Sequence, residues 1–150
     1  MTDPKRIYLD YAATAPMLDA AKKACTEGFE LWANPSSPHG DGRAAQSMLE
    51  NARRRFREAL RWDGDVIFTS GASEAIQIAL TKSKPATQFV SPVEHDVVLR
   101  FAQQARTIPV DGNGMVIPTN LNHLLKGTEG PALVAIQSVN NETGVMQDMD

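Results

Sequence analysis

Ala132-Leu133-Val134-Ala135-Ile136-Gln137-Ser138 decides the fold class. The run Leu133-Val134-Ala135-Ile136 is apolar without alternation, the pattern of a strand covered on both faces, as in parallel sheets. Working back along the chain, Thr107 to Val110 reads as another strand, followed by the turn Asp111-Gly112-Asn113-Gly114. Phe89-Val90 ends a further strand, and Val66-Ile67-Phe68-Thr69 is the earliest of the four. Helical periodicity fills the intervals at 73–82 and 95–105, and Thr119 or Asn120 is expected to cap a short helix through Leu125. Strands alternating with helices imply parallel pairing through right-handed crossovers, hence an α/β fold.

Upstream, residues 17–32 place Leu18, Ala21, Cys25, Phe29 and Trp32 at helical spacing. Cys25 on that apolar face is expected to be buried and inert. Residues 43–61 form the clearest helix, with Ala45, Met48 or Leu49, Ala52, Phe56 and Leu60 on one side and charges on the other, so that Arg53-Arg54-Arg55 reads as a solvated face. A Pro-, Ser- and Gly-rich loop, Ala33 to Gly42, joins the two. The start of the chain leads into a strand-like Ile7-Tyr8-Leu9 without an apolar signal core.

Composition narrows the function classes. The 150 residues are 42% hydrophobic and 22% charged, a globular balance, with a formal net charge of -3 that gives no support to nucleic-acid binding. No apolar run approaches the ~18 residues of a membrane span, so a cytoplasmic protein is expected. One cysteine excludes an internal disulfide and a cysteine-based metal cluster, and no metal site is expected.

Four segments could carry chemistry. In Thr69-Ser70-Gly71-Ala72-Ser73-Glu74 a strand end meets a helix start, whose free N–H groups suit an anion; a plain helix cap is the other reading. His95, in Val93-Glu94-His95-Asp96, follows a strand and should lie at the edge where open α/β sheets bind ligands; it could stack on a planar cofactor, move protons, or simply cap a helix. Ser138-Val139-Asn140-Asn141-Glu142-Thr143-Gly144 leaves the sheet at the same edge, either as a turn or with Asn side chains turned to a ligand. Asn34-Pro35-Ser36-Ser37-Pro38-His39-Gly40-Asp41-Gly42 is a site loop or a structural one. Three of the four follow parallel strands, which points to one crevice for a phosphate-bearing, planar ligand.

These blocks resemble the cysteine desulfurases of the class V aminotransferase superfamily. The resemblance rests on Tyr8-Leu9-Asp10-Tyr11-Ala12-Ala13-Thr14-Ala15-Pro16, the N-P-S-S-x-H-x-x-G loop at 34–42, Phe68 to Glu74, Val93-Glu94-His95, and Val139 to Asp148, in that order. It implies pyridoxal 5′-phosphate (PLP) as cofactor. Ala72 and Ser73 would bind its phosphate; His95 would stack on its ring and help in proton transfer, as the catalytic residue; Asn141 would approach its phenolic oxygen and the substrate. Ser73, Gln77 and Ala15 stand where the family usually has Thr, Asn and Thr. The family's PLP lysine, its Asp and Gln partners to the ring, and its nucleophilic cysteine lie in later motifs that this sequence does not contain; Lys82 and Lys84 match none of them.

The resemblance also implies a mostly parallel, seven-stranded PLP-transferase sheet with helices on both faces, incomplete in this chain. Residues 1–16 would form an arm bordering the active site, and 17–150 the N-terminal part of the large domain. The strand at 66–69 would lack its partner, and the isolated chain is expected to be unstable or to aggregate. The implied activity is conversion of cysteine to alanine with sulfur passed to an acceptor protein, by a homodimer when full length. A selenocysteine lyase, an aminotransferase, or a non-catalytic split chain that needs a partner are the alternatives.

Overall fold

A computed structural model describes residues 7–149. The chain divides into two compact units, one running up to Phe68 and the other from Thr69 onward. Among the described residues no helix is long and apolar enough to cross a membrane.

The first unit is helical. α1 spans Asp19–Glu30 and buries none of its residues. Cys25, expected to be packed away, is exposed because nothing among the described residues covers the apolar side of α1; Leu18, Phe29 and Trp32 are open with it. α2 spans Gly40–Leu60 and begins earlier than its periodicity suggests, because the preceding loop is itself a cap. Asn34 Oδ1 accepts the Ser36 N–H at 2.9 Å, Ser37 N–H bonds the Asn34 carbonyl at 3.0 Å, and His39 Nδ1 accepts the Gly42 N–H at 3.3 Å. Gly42 is buried under that loop, where a Cβ would lie 2.8 Å from Ser37 Cβ and 2.9 Å from the Asn34 carbonyl oxygen. The arginine run behaves as a solvated face: Arg53 pairs with Glu50, and Arg54 lies 3.7 Å from Glu58.

Two expected strands are missing. Ile7-Tyr8-Leu9 forms no ladder; the Tyr8 hydroxyl sits instead 2.8 Å from the Asp10 carbonyl oxygen and 2.9 Å from that of Thr14. Residues 66–69 form none either, since a strand exists by pairing and no described segment pairs with them. Phe68 packs edge-on against Phe56 of α2, with ring centroids 5.5 Å apart.

The second unit holds the sheet and the core. α3 (Ala72–Lys82) leads to β1 (Thr87–Val90), α4 (Asp96–Phe101), β2 (Arg106–Thr107), α5 (Pro118–Lys126) and β3 (Ala132–Ala135). The three strands are parallel in the order β2-β1-β3, with Val90 opposite both Thr107 and Ala135. This is the α/β class read from the sequence, in a smaller sheet. Strand alternation puts Val90, Leu133 and Ala135 on one face, where they meet Leu80 and Ile76 of α3 and Val97 and Val98 of α4. Phe89 and Ile108 are fully buried elsewhere, yet Val134, opposite Phe89, is 38% exposed. The unbroken apolar run of β3 therefore anticipates a cover on both faces that the described residues supply on one.

Smaller differences have local causes. α4 stops at Phe101, short of 105, and β2 has two residues because Val110 leaves the sheet to bridge Val116 across the turn at 111–114. α5 starts with Pro118 at its first position after Ile117, without a side-chain cap, rather than at Thr119 or Asn120. In the turn, Asp111 Oδ1 accepts the N–H groups of Asn113 and Met115, each at 2.9 Å, which holds its carboxyl below the ordinary value of 3.8.

Three outcomes follow from this packing. Gly42→Ala forces the 34–39 loop off the start of α2, at about 1–3 kcal/mol by the usual cost of overpacking, read as faster hydrogen exchange at Ser37 and Arg43. Cys25 reacts with a thiol reagent in native buffer at close to its rate in denaturant. The Asp111 turn contributes stability above pH 3.8 that is lost as pH falls through the lower folded-state value, so Gly114 amide shifts titrate below pH 3.8 in the natural chain and not in Asp111→Asn.

Candidate functional site

Parallel pairing sends β1 and β3 out at the same edge of the sheet. The Ser91 N–H still bonds the Ala135 carbonyl at 3.1 Å, and beyond it the two chains diverge into the loops at 92–95 and 136–147. Between these loops lies a cavity of about 350 Å³, lined by Glu94, His95, Leu99, Asn141 and Thr143 among others. A larger hollow of about 660 Å³ lies between Leu80, Gln88, Arg100 and Arg106, near the start of β1 and away from these loops.

His95 is the N-cap of α4. Its Nδ1 accepts the Val97 N–H at 3.1 Å, so the neutral ring carries its proton on Nε2. The capping reading of this histidine is met: Nδ1 ties the ring to the helix, and the residue lines the cavity.

The two asparagines of the Asn140-Asn141 pair divide the work. Asn140 Oδ1 accepts the N–H groups of Glu142 and Thr143, each at 2.9 Å, and its Nδ2 donates to the Val93 carbonyl at 3.0 Å. Its main chain closes the loop with Val145 and Gly144, both at 2.9 Å, and Gly144 turns with φ 73°. Asn141, exposed beside it, leaves its side-chain amide available to a ligand. Gln147 anchors the far end: 8% exposed, it accepts from Val116 N–H at 2.8 Å and donates to the Gly114 carbonyl at 2.9 Å.

Glu94 is half-buried. Loss of solvent pushes its carboxyl above the ordinary value, against the opposing hydrogen bond from the Gln137 N–H and the neighbouring His95. Glu94, Gln137 and Gln147 receive no role of their own from motif reading, and Asn140, open there to a turn or a ligand, serves the turn. Their signal was present as polar side chains flanking strand ends, where no regular backbone pairing continues.

Ala72 and Ser73 open α3. The N-cap Gly71 has no side chain to cap the helix, a Cβ there would meet open space, and the first-turn N–H groups are left without intrahelical acceptors. Glu74 reaches back to accept the Ser70 N–H at 2.6 Å, which lowers its pKa. The Ser73 hydroxyl makes no hydrogen bond among the described residues, so it is available with the N–H groups to an anion. Ile76, one turn on, packs on the cluster containing Val97 and Val98, so α3 and α4 start from the same core. The structure brings His95 and Asn141 to one cavity; Ala72 and Ser73 lie outside its lining.

The donor set suits a phosphate and a planar ring: an uncapped helix start with a free hydroxyl, and a cavity with an imidazole and an amide. Among the described residues no group of three or more His, Cys, Asp and Glu could hold a metal ion.

Residues 7–150 match the family described as Aminotransferase class-V. The cysteine desulfurase IscS of Dictyoglomus turgidum is 32% identical over 160 residues, covering 95% of this chain and 40% of that protein. Cysteine desulfurase IscS 1 of Archaeoglobus fulgidus is 34% identical over 155 residues, covering 93% of this chain and 40% of that protein. A solved NifS-like protein from Rickettsia africae superposes with a TM-score of 0.81 at 29% identity, covering 94% of this chain and 42% of that one. The chain thus spans about 40% of the length of the curated relatives it matches. With a family match that runs from Ile7 through the β3 loops, the chain belongs to the class-V aminotransferases.

Proposed function

We propose that this chain is the N-terminal, cofactor-binding portion of a PLP-dependent cysteine desulfurase, which turns cysteine into alanine and passes the sulfur to an acceptor protein, as in iron–sulfur cluster assembly or tRNA thiolation. The observation that carries the reading is the meeting of His95 and Asn141 on one cavity at the C-terminal edge of a parallel sheet. The names of the similar proteins point the same way.

In this reading Ala72 and Ser73 hold the phosphate through N–H and hydroxyl groups. His95 lays its ring against the pyridine, and Asn141 turns its amide to the phenolic oxygen. Bound PLP would supply the electron sink for cleavage at cysteine. His95 keeps Nδ1 on the Val97 N–H, so proton movement belongs to Nε2. The covalent lysine and the sulfur nucleophile are not assigned to Lys82, Lys84 or Cys25. Assembly as a homodimer, a cytoplasmic location, and the arm at 1–16 with the loop at 34–42 beside the active site belong to the same proposal.

A second reading is a chain that docks on a complementing polypeptide and has no catalysis of its own. It draws on the uncovered apolar side of α1 and the unpaired segment at 66–69.

Pyridoxine 5′-phosphate tests the site, because it lacks the aldehyde that reacts with lysines at random. The natural chain is expected to bind it, with changes in the NMR signals of His95 and Asn141. Ser73→Ala weakens binding about tenfold, the loss of one hydrogen bond to a charged group. His95→Asn keeps the cap and the thermal stability but loses the ring contact, whereas His95→Ala loses about 1 kcal/mol of cap as well. Binding unchanged by all three variants would reject the assignment.

A further inference from the structure

The loops carrying His95 and Asn141 leave different strands, and one pair of side chains joins them in both directions. The Glu94 carboxylate accepts the Gln137 main-chain N–H, while the Gln137 side-chain amide donates to the Val93 carbonyl. Asn140 Nδ2 adds a bond to that same carbonyl at 3.0 Å. The last main-chain bond between the two strands is Ser91 N–H to the Ala135 carbonyl. Each loop has main-chain bonds of its own, but beyond this point the bonds between the two loops come from side chains.

Each half of the join has a different role. The Glu94 bond fixes where β3 hands over to the Asn140-Asn141 loop. The Gln137 bond fixes the carbonyl two residues before His95. Glu94 is half-buried and Gln137 partly buried, so neither bond is a solvated surface contact that water replaces freely. Asn140 alone holds Val93 by a single bond, which leaves rotation about it open; two more bonds from opposite sides remove that freedom.

Resting on the cofactor reading above, we propose that Glu94 and Gln137 form a reciprocal clasp that sets the spacing between His95 and Asn141, making Glu94 a positioning residue for the cofactor pocket. It acts through its neighbours, as an acceptor of the Gln137 N–H. An amide oxygen can take that role, so the carboxylate charge is not what the clasp requires.

The test measures hydrogen exchange in the 150-residue chain alongside its affinity for pyridoxine 5′-phosphate. Glu94→Ala is expected to speed exchange about tenfold in both 93–96 and 137–144, and to weaken binding by a similar factor, the loss of about 1.4 kcal/mol. Gln137→Ala moves the same two segments in the same direction. Glu94→Gln stays within about twofold of the natural chain on both readouts, as a neutral acceptor should. Loosening of one loop alone overturns the clasp. So does weaker binding by Glu94→Ala at unchanged exchange, which would make Glu94 a direct ligand contact, or a Glu94→Gln defect as large as that of Glu94→Ala. The amides of Phe89 and Val90 monitor global unfolding; if Glu94→Ala loses their protection, the pair Glu94→Gln and Gln137→Ala decides. If the natural chain ignores the probe, the cofactor reading fails, and the exchange data still judge the clasp.

Discussion

Parallel pairing of β1 with β3 is the constraint from which the site follows. An antiparallel pair would send successive loops to opposite edges. A parallel pair must send both exits to one edge, here past Val90 and Ala135. The ladder is only four residues long, so it fixes the directions of the two exits and little else. It is held by the apolar layer of Val90, Leu133 and Ala135 against Leu80, Val97 and Val98. The same layer seats α3 and α4, whose first turns offer the groups best suited to a ligand.

Beyond that edge the bonds between the two loops come from polar side chains, and the same devices recur in the first unit. His39 and His95 both close a helix start with Nδ1, and Asn34 and Asn140 both accept N–H groups of the residues that follow them. A motif rich in His and Asn invites a catalytic reading throughout. Here the first of each kind of role is architectural, and the proposed chemistry falls to the groups that architecture does not consume: the far nitrogen of His95 and the amide of Asn141.

How much of this was legible in the sequence depended on where the stabilising partner lies. α2 and α3 were readable because their periodicities are local, and β1 and β3 because their apolar runs are short and bounded by turn residues. Residues 66–69 read as a strand from composition, but strand formation needs a neighbour that the described residues do not contain. Cys25 read as buried from helical spacing, yet burial requires a second surface. Among site residues, His95 and Asn141 were marked by position after strands. Gln137 and Gln147 were not, because bonds across more than thirty residues leave no local pattern.

The two edges of the sheet differ in a way that bears on assembly. β2 ends the sheet at one side with only Arg106 and Thr107, and a cation over Phe89. At the other side Ala132-Leu133-Val134-Ala135 presents main-chain donors and acceptors with no charged residue among them and no bulge. Short and basic at one border, apolar and bare at the other, the sheet is a directional template. A strand added to it, whether from the same polypeptide or another, has its groups matched at the β3 border first, and growth of any misassembled ladder starts there too.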